Sequence, residues 1–216
     1  MNRRVTSRMC STRGYIEAMA HRVYFEEGKK LVFAVSLDWP GWCQSARSAD
    51  DALENLRRYA PRYGAIVDVS DEEFDMIETV PDNGTTDFGA PRVMGPWDEV
   101  VSTRPERLAH VELLRACWRH FDQIVATAPA EPLKGSRGGG RDRDKVVGHV
   151  REAERAYASK IGVRIAPRTP WPEQRELLVQ RLPADPSHEK WPSDFALRII
   201  AWHVVDHAWE NEDKTP

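Results

Sequence analysis

Two histidines four residues apart, His203 and His207, are the side chains in this sequence best suited to chemistry. They lie in the amphipathic stretch 191–212, which predicts a helix, and residues four apart on a helix share one face. Imidazole is a favoured ligand for zinc, nickel, copper and iron, so the pair offers two coordination positions. The spacing therefore indicates part of a metal site.

A third ligand must come from another element, and His149 in the helical segment 142–161 is the best-placed candidate. Three neutral histidines leave at least one coordination position open for water or substrate, which is typical of a catalytic site. The apolar residues around the last-helix pair predict that their helix is buried, and buried imidazoles need partners. A shared metal would provide them, and so would a hydrogen bond between helices. The same spacing also arises by chance in helices that bind nothing.

Carboxylates stand near each predicted ligand. Glu152 follows His149 by three residues on the same helix face, so it could act as a base, bind the metal or orient the imidazole. We take it as the candidate catalytic residue, and the alternative is a solvated charged face shared with Arg151 and Arg155.

In the last helix, Asp206 and Glu210 follow the two histidines by three residues, and either could accept a hydrogen bond from a ligand imidazole. The alternative for Glu210 is an exposed acidic tail together with Glu212 and Asp213. These carboxylates are therefore candidates for holding the ligands in place.

Composition limits the classes of function. The 216 residues include 30% charged and 41% hydrophobic residues and carry a formal net charge of -3, which is typical of a globular protein and gives no indication of nucleic-acid binding. No apolar run approaches the ~20 residues of a membrane span, and no hydrophobic signal core follows the basic start 1–8. The scattered Cys10, Cys43 and Cys117 predict neither a disulfide framework nor a thiolate zinc site. We expect a cytoplasmic protein that acts on a small molecule.

The chain divides at a stretch rich in glycine and proline, 81–102, which predicts a linker. Before it, an extension over 1–20 precedes a small α+β module over 21–80, indicated by β-branched and aromatic runs. The elements predicted for this module are a β-hairpin over 22–26 and 31–37, a helix from the N-cap Ser48 to about residue 63, and strands over 65–69 and 74–80.

After the linker, apolar residues recur at steps of three and four across 103–212 and predict four helices. Arg104 and Pro105 open the first, Asp142 or Asp144 caps the second, and the last two follow proline-rich links. Four helices joined by loops of mixed length favour an up-down four-helix bundle. Such a bundle builds metal sites from side chains that face its interior.

The segments around the three histidines resemble the DinB/YfiT-like superfamily of metal-binding four-helix bundles. The resemblance is carried by DKVVGHVREAE over 144–154 and RIIAWHVVDHAWE over 198–210, and it covers roughly 103–212, about half of the chain. It implies a four-helix bundle, often a homodimer, that binds a divalent metal such as Zn, Ni, Fe or Mn. The ligands that it implies are His149, His203 and His207.

Some members of that superfamily use a low-molecular-weight thiol such as mycothiol. The resemblance therefore implies a metal-dependent thiol S-transferase or hydrolase, in which the metal activates the thiol or water for transfer to a small electrophilic molecule. The alternative is a non-catalytic metal- or ligand-binding protein associated with stress.

A second resemblance concerns the N-terminal module. The sequence Pro40-Gly41-Trp42-Cys43, followed by SADDALE over 48–54, is similar to HicB-type antitoxin domains, in which a β-hairpin and a helix pack as α+β. Trp42 and Ala46 stand where that motif has cysteine and glycine. This resemblance implies a further alternative function, that of an antitoxin or regulator.

Overall fold

The computed structural model describes residues 21–69, 73–82, 84–129, 142–184 and 190–213. The prediction for the extension 1–20 lies outside the described residues. In chain order the elements are β1 (His21–Glu27), β2 (Val32–Ser36), β3 (Cys43–Ala46), α1 (Ala49–Arg58), α2 (Ala60–Tyr63), β4 (Phe74–Pro81), α3 (Arg104–Thr127), α4 (Arg143–Ala158), α5 (Trp171–Arg181) and α6 (Ser193–Glu212), with 3-10 turns at Thr86–Phe88, Pro96–Glu99 and Ser159–Ile161.

The N-terminal half forms a mixed four-stranded sheet in the order β3-β2-β1-β4. β2 is antiparallel to both of its neighbours, and β4 runs parallel to β1. A parallel pair needs a crossover connection, and α1 and α2 lie within it. The predicted α+β start of the chain is therefore confirmed, with the hairpin and the strand over 74–80 in their expected places.

The predicted helix from Ser48 to about residue 63 is interrupted. The Ser48 hydroxyl accepts a hydrogen bond from the backbone N–H of Asp51 at 3.2 Å, so the N-cap is confirmed. The helix divides at Tyr59 because Pro61 has no N–H to continue the hydrogen-bond ladder.

The strand predicted over 65–69 is wrong. The backbone N–H groups of Ile66 and Val67 both donate to the carbonyl of Tyr63, which prolongs the helical turn. The sequence analysis also missed β3, which pairs with β2 from Val35 to Val32.

The central strands β1 and β2 have buried residues on both faces of the sheet, whereas β4 at its edge is mostly exposed. Val23 and Ala34 face an apolar core shared with the helices, whereas Tyr24 and Phe33 face a second cluster on the opposite side. Neighbouring residues of a strand point to opposite faces, so every residue of a strand that is covered on both sides is buried. This explains why all five residues of β2 are buried.

The linker covers the second face and is attached to it by a buried carboxylate. Glu26 of β1 accepts hydrogen bonds from the Thr86 hydroxyl and from the backbone N–H groups of Arg92 and Val93, the last at 2.9 Å. Desolvation raises the pKa of Glu26, and these three donors oppose that rise. Residues 86–93 are therefore fixed to the sheet.

Helix α6 lies at the centre of the molecule, and sixteen of its twenty residues are buried. Helices α3 and α4 pack against it. The turn between β2 and β3 also approaches it, since a Cβ added at Gly41 would lie 3.2 Å from the side chain of Val205. Gly41 has φ +101°, so glycine suits both the backbone conformation and the close approach at this position.

The predicted four-helix bundle is wrong. A bundle helix turns one polar face to solvent, but the N-terminal half covers α6 where a bundle would leave it open. Phe33 of β2 packs edge-on against Trp202, and a single apolar core contains Trp42 of the N-terminal half together with Leu114 and Ile200 of the helices. The fold is a mixed sheet followed by helices, joined by a shared core.

A buried ion pair connects the linker to α6. The Arg198 guanidinium donates to both carboxylate oxygens of Asp98, at 2.8 and 2.9 Å, and the two side chains are 5% and 3% exposed. We expect Asp98→Ala to lower the free energy of unfolding by about 3–5 kcal/mol, because it leaves a buried charge without its partner. Urea denaturation measures this change.

The matched control is Glu54→Ala, which removes the carboxylate of an exposed helix pair with Arg57. This substitution is expected to lower the free energy of unfolding by about 1 kcal/mol or less. Equal effects of the two substitutions would show that the Asp98–Arg198 pair does not hold the linker on α6.

The buried His21 makes stability depend on pH. It packs against Trp42 and Phe74, and desolvation lowers its pKa to about 4. The unfolded chain, whose histidine pKa is about 6.5, then binds more protons between those values, so stability is lost as the pH falls from 6.5 towards 4.

We expect His21→Phe to reduce the loss of unfolding free energy between pH 7 and pH 4.5 by about 2 kcal/mol, because it removes this proton uptake. Urea unfolding of wild type and variant at both pH values tests this. An unchanged pH dependence would contradict a neutral, buried imidazole at this position.

Candidate metal centre

Three imidazoles from two helices converge in the structure. His203 and His207 lie one turn apart on α6, and His149 reaches them from α4. One ring nitrogen from each lies within 4.8 Å of the others. The ring centroids are 4.5 Å apart for His203 and His207, 5.0 Å for His149 and His203, and 4.9 Å for His149 and His207.

The distances fit a cation between the rings. The Nε2 atoms of His149 and His203 are 3.2 Å apart. Tetrahedral zinc with bonds of about 2.0–2.1 Å to nitrogen requires its ligand nitrogens to be about 3.3 Å apart. This pair already has the required separation, and a ring nitrogen of His207 lies within 4.8 Å of both.

Access to the three imidazoles differs. His203 and His207 are 5% and 6% exposed, whereas His149 is half-buried. Beside it, a Cβ added at Gly148 would meet no atom within 4 Å. The two imidazoles of α6 are therefore buried, whereas the imidazole of α4 is partly accessible to solvent.

A carboxylate orients one of the ligands. His207 Nδ1 and Glu210 Oε2 are 2.7 Å apart, so the predicted hydrogen bond from an imidazole to a last-helix carboxylate is confirmed for Glu210. With its proton on Nδ1, His207 donates to this carboxylate and leaves Nε2 as the ligand atom. Asp206, the other candidate, is exposed.

Two further aromatic rings contact His203. Tyr157 and Trp202 each present their rings edge-on to its imidazole, with centroids at 5.7 and 5.8 Å. Burial raises the pKa of Tyr157, and its hydroxyl accepts a hydrogen bond of 2.6 Å from Arg92 of the linker.

Neither Tyr157 nor Arg92 was assigned to the site from the sequence. The position of Tyr157 near the site could have been predicted, because it follows His149 by eight residues on one helix. The role of Arg92 could not have been predicted, because its contact with Tyr157 joins residues 65 positions apart and Arg92 lies in a linker without periodicity.

The structure places Glu152, the candidate catalytic residue, in a different environment. Its side chain is 58% exposed and forms an ion pair with Arg155. Among the described residues, the group of side chains that could hold a metal consists of the three histidines alone. Glu152 therefore lies on a solvated charged face, which was the alternative prediction for this residue.

Glu154, two residues further on, is buried at the junction of α3, α4 and α5. It accepts hydrogen bonds from Trp118 at 2.8 Å and from Trp171, and desolvation raises its pKa. This carboxylate joins three helices, so we assign it a structural role.

Other described histidines lie near carboxylates outside this group. His110 is 3.7 Å from Asp194, and His120 is 3.8 Å from Glu212. His188 lies outside the described residues.

Comparison with known proteins gave no match of this chain to a family model, a curated protein or a solved structure. The resemblances to DinB/YfiT-like and HicB-type proteins therefore stay predictions. Within the described part of the chain, no helix combines the length and apolar character needed to cross a membrane.

The Glu210 hydrogen bond yields a prediction about metal affinity. We expect Glu210→Gln to weaken zinc binding by about tenfold or more, because the neutral amide makes His207 a less basic ligand. Competition with a chromophoric zinc chelator measures the affinity. The control Glu152→Gln removes an exposed carboxylate near the same site and is expected to leave the zinc affinity unchanged. Equal affinities of wild type and Glu210→Gln would exclude this role.

Proposed function

We propose that this protein is a divalent-metal-dependent enzyme whose cation is held by His149, His203 and His207. The observation that carries the proposal is the convergence of three ring nitrogens, from two helices, within 4.8 Å. Zinc, nickel, iron and manganese remain candidates, because imidazole binds several divalent ions and the supply in the cell decides among them.

A metal accounts for this arrangement better than a hydrogen bond between helices. A bond across the 3.2 Å between the Nε2 atoms of His149 and His203 joins only two of the three rings. A cation accepts a lone pair from all three. The Glu210 carboxylate beside His207 Nδ1 supports the same reading, since metal-bound histidines commonly donate their other N–H to such a group.

The partial exposure of His149 favours a catalytic site over a purely structural one. Three protein ligands leave a coordination position, and the half-buried His149 lies where a small molecule could approach. A divalent cation held here would supply Lewis acidity and would lower the pKa of a bound water or thiol.

The chain's own residues fix the geometry for that chemistry. Glu210 orients His207, while Tyr157 and Trp202 confine the ring of His203 and keep solvent from it. The preferred reaction is transfer of a low-molecular-weight thiol, such as mycothiol, or of water to a small electrophile in the cytoplasm. The thiol and the electrophile rest on the resemblance to the DinB/YfiT-like superfamily.

The second candidate is a metal- or ligand-binding protein without turnover. It is favoured by the burial of two of the three ligands, His203 and His207, which narrows access to the cation. The two candidates share the metal centre and differ only in whether a substrate reaches it.

Metal analysis tests the shared part of the proposal. Protein purified without a histidine tag and equilibrated with zinc is expected to hold one equivalent by mass spectrometry. His149→Ala and His203→Ala are expected to lose most of it, while His110→Ala, outside the group, is expected to keep it. Wild-type protein that holds only traces of metal would contradict both candidates.

A thiol-transfer assay then separates the candidates. Metal-loaded protein is expected to accelerate conjugation of a low-molecular-weight thiol to a model electrophile, and His203→Ala is expected to abolish the acceleration. Acceleration of hydrolysis without thiol would favour a hydrolase. Full metal occupancy with neither activity would favour the non-catalytic candidate.

A further inference from the structure

The sheet fixes the linker backbone next to the metal centre. Glu26 of β1 is completely buried and accepts the backbone N–H groups of Arg92 and Val93, at 3.2 and 2.9 Å. Backbone that is hydrogen-bonded to a buried carboxylate has little freedom to move, because breaking these bonds would leave the charge unsatisfied. Strand β1 therefore fixes the backbone position of Arg92.

From this fixed position, Arg92 reaches helix α4. Its Nη2 donates to the hydroxyl oxygen of Tyr157 at 2.6 Å, and its guanidinium carbon lies 5.3 Å from the centre of the Tyr157 ring. The same side chain thus contacts the tyrosine through both a charge-assisted hydrogen bond and a cation–π interaction. These contacts restrict the position and tilt of the ring.

The Tyr157 ring in turn contacts a ligand of the metal centre. It lies edge-on to His203 with centroids 5.7 Å apart, and Trp202 contacts the same imidazole at 5.8 Å. Trp202 is itself contacted by Phe33 of β2 at 6.4 Å. Tyr157 is therefore contacted by the linker and Trp202 by the sheet, and both the linker and the sheet belong to the N-terminal half of the chain.

We propose that the N-terminal half is the outer wall of the metal centre, and that Arg92 and Tyr157 are positioning residues for His203. Arg92, held by Glu26, fixes the Tyr157 ring, and the ring fixes the imidazole at the separation from His149 that a cation needs. The sheet and linker thereby set the metal affinity of a site whose ligands all belong to the C-terminal helices. This inference rests on the proposed metal centre.

Two substitutions remove the hydrogen bond and leave most of the packing. Tyr157→Phe keeps the ring, and Arg92→Met keeps an aliphatic side chain. Each is expected to raise the Kd for zinc about tenfold in competition with a chromophoric chelator, as outer-shell substitutions at metal sites do. Because both delete the same bond, the double variant is expected to bind zinc about as well as either single variant.

The control is Arg155→Met, the same substitution at an exposed ion pair of α4, which is expected to leave the Kd unchanged. Arg92→Lys is expected to restore part of the affinity because it retains a charged donor. At saturating cobalt, the visible absorption bands of Tyr157→Phe are expected to differ from those of wild type, since the imidazole geometry has changed.

The outcomes are distinguishable. Wild-type affinities in both single variants, with wild-type cobalt bands, would overturn this inference and leave the metal centre intact. Fully additive losses in the double variant would also overturn it, because the two residues would then act separately. Failure of the wild-type protein itself to bind zinc or cobalt would remove the proposed function as well.

Discussion

Helix α6 buries two imidazoles within an apolar environment, and the neighbouring elements must satisfy them. His203 and His207 are almost inaccessible to solvent, so their ring nitrogens need partners inside the protein. The partners come from two directions, since α4 brings His149 to the group and Glu210 accepts the Nδ1 proton of His207. A cation at the centre of the three rings would use all three lone pairs, and this is the physical basis of the proposed activity.

The architecture follows from the burial of α6. A helix that is apolar around most of its circumference needs cover on every side, and the C-terminal helices supply only part of it. The mixed sheet supplies the rest through the close approach of Gly41 and the contact of Phe33 with Trp202. The linker is tied to the sheet by Glu26 and to α6 by the Asp98–Arg198 pair. The two halves therefore form one core, and the histidine group on α6 is contacted from both.

Local signals in the sequence predicted most elements and the three histidines that converge. Ser48 caps its helix as expected, and the four-residue spacing of His203 and His207 did place them on one face. The periodicity of apolar residues shows which faces of a helix are buried but not which elements cover them. The sequence therefore predicts that other helices of a bundle surround α6, whereas the sheet covers part of it. Arg92 gave no signal, because its role depends on tertiary contacts with residues distant in sequence. Glu152 shares a helix with His149, yet its ion pair with Arg155 lies in solvent.

X-ray absorption spectroscopy of the zinc-loaded protein tests the central claim most directly. The account predicts three imidazole nitrogens at about 2.0–2.1 Å from the metal, with the multiple scattering of histidine rings, and one further light atom. His149→Ala should reduce the histidine contribution from three rings to two. A first shell dominated by carboxylate oxygen or sulfur, or one that is the same in wild type and His149→Ala, would contradict a cation shared by α4 and α6.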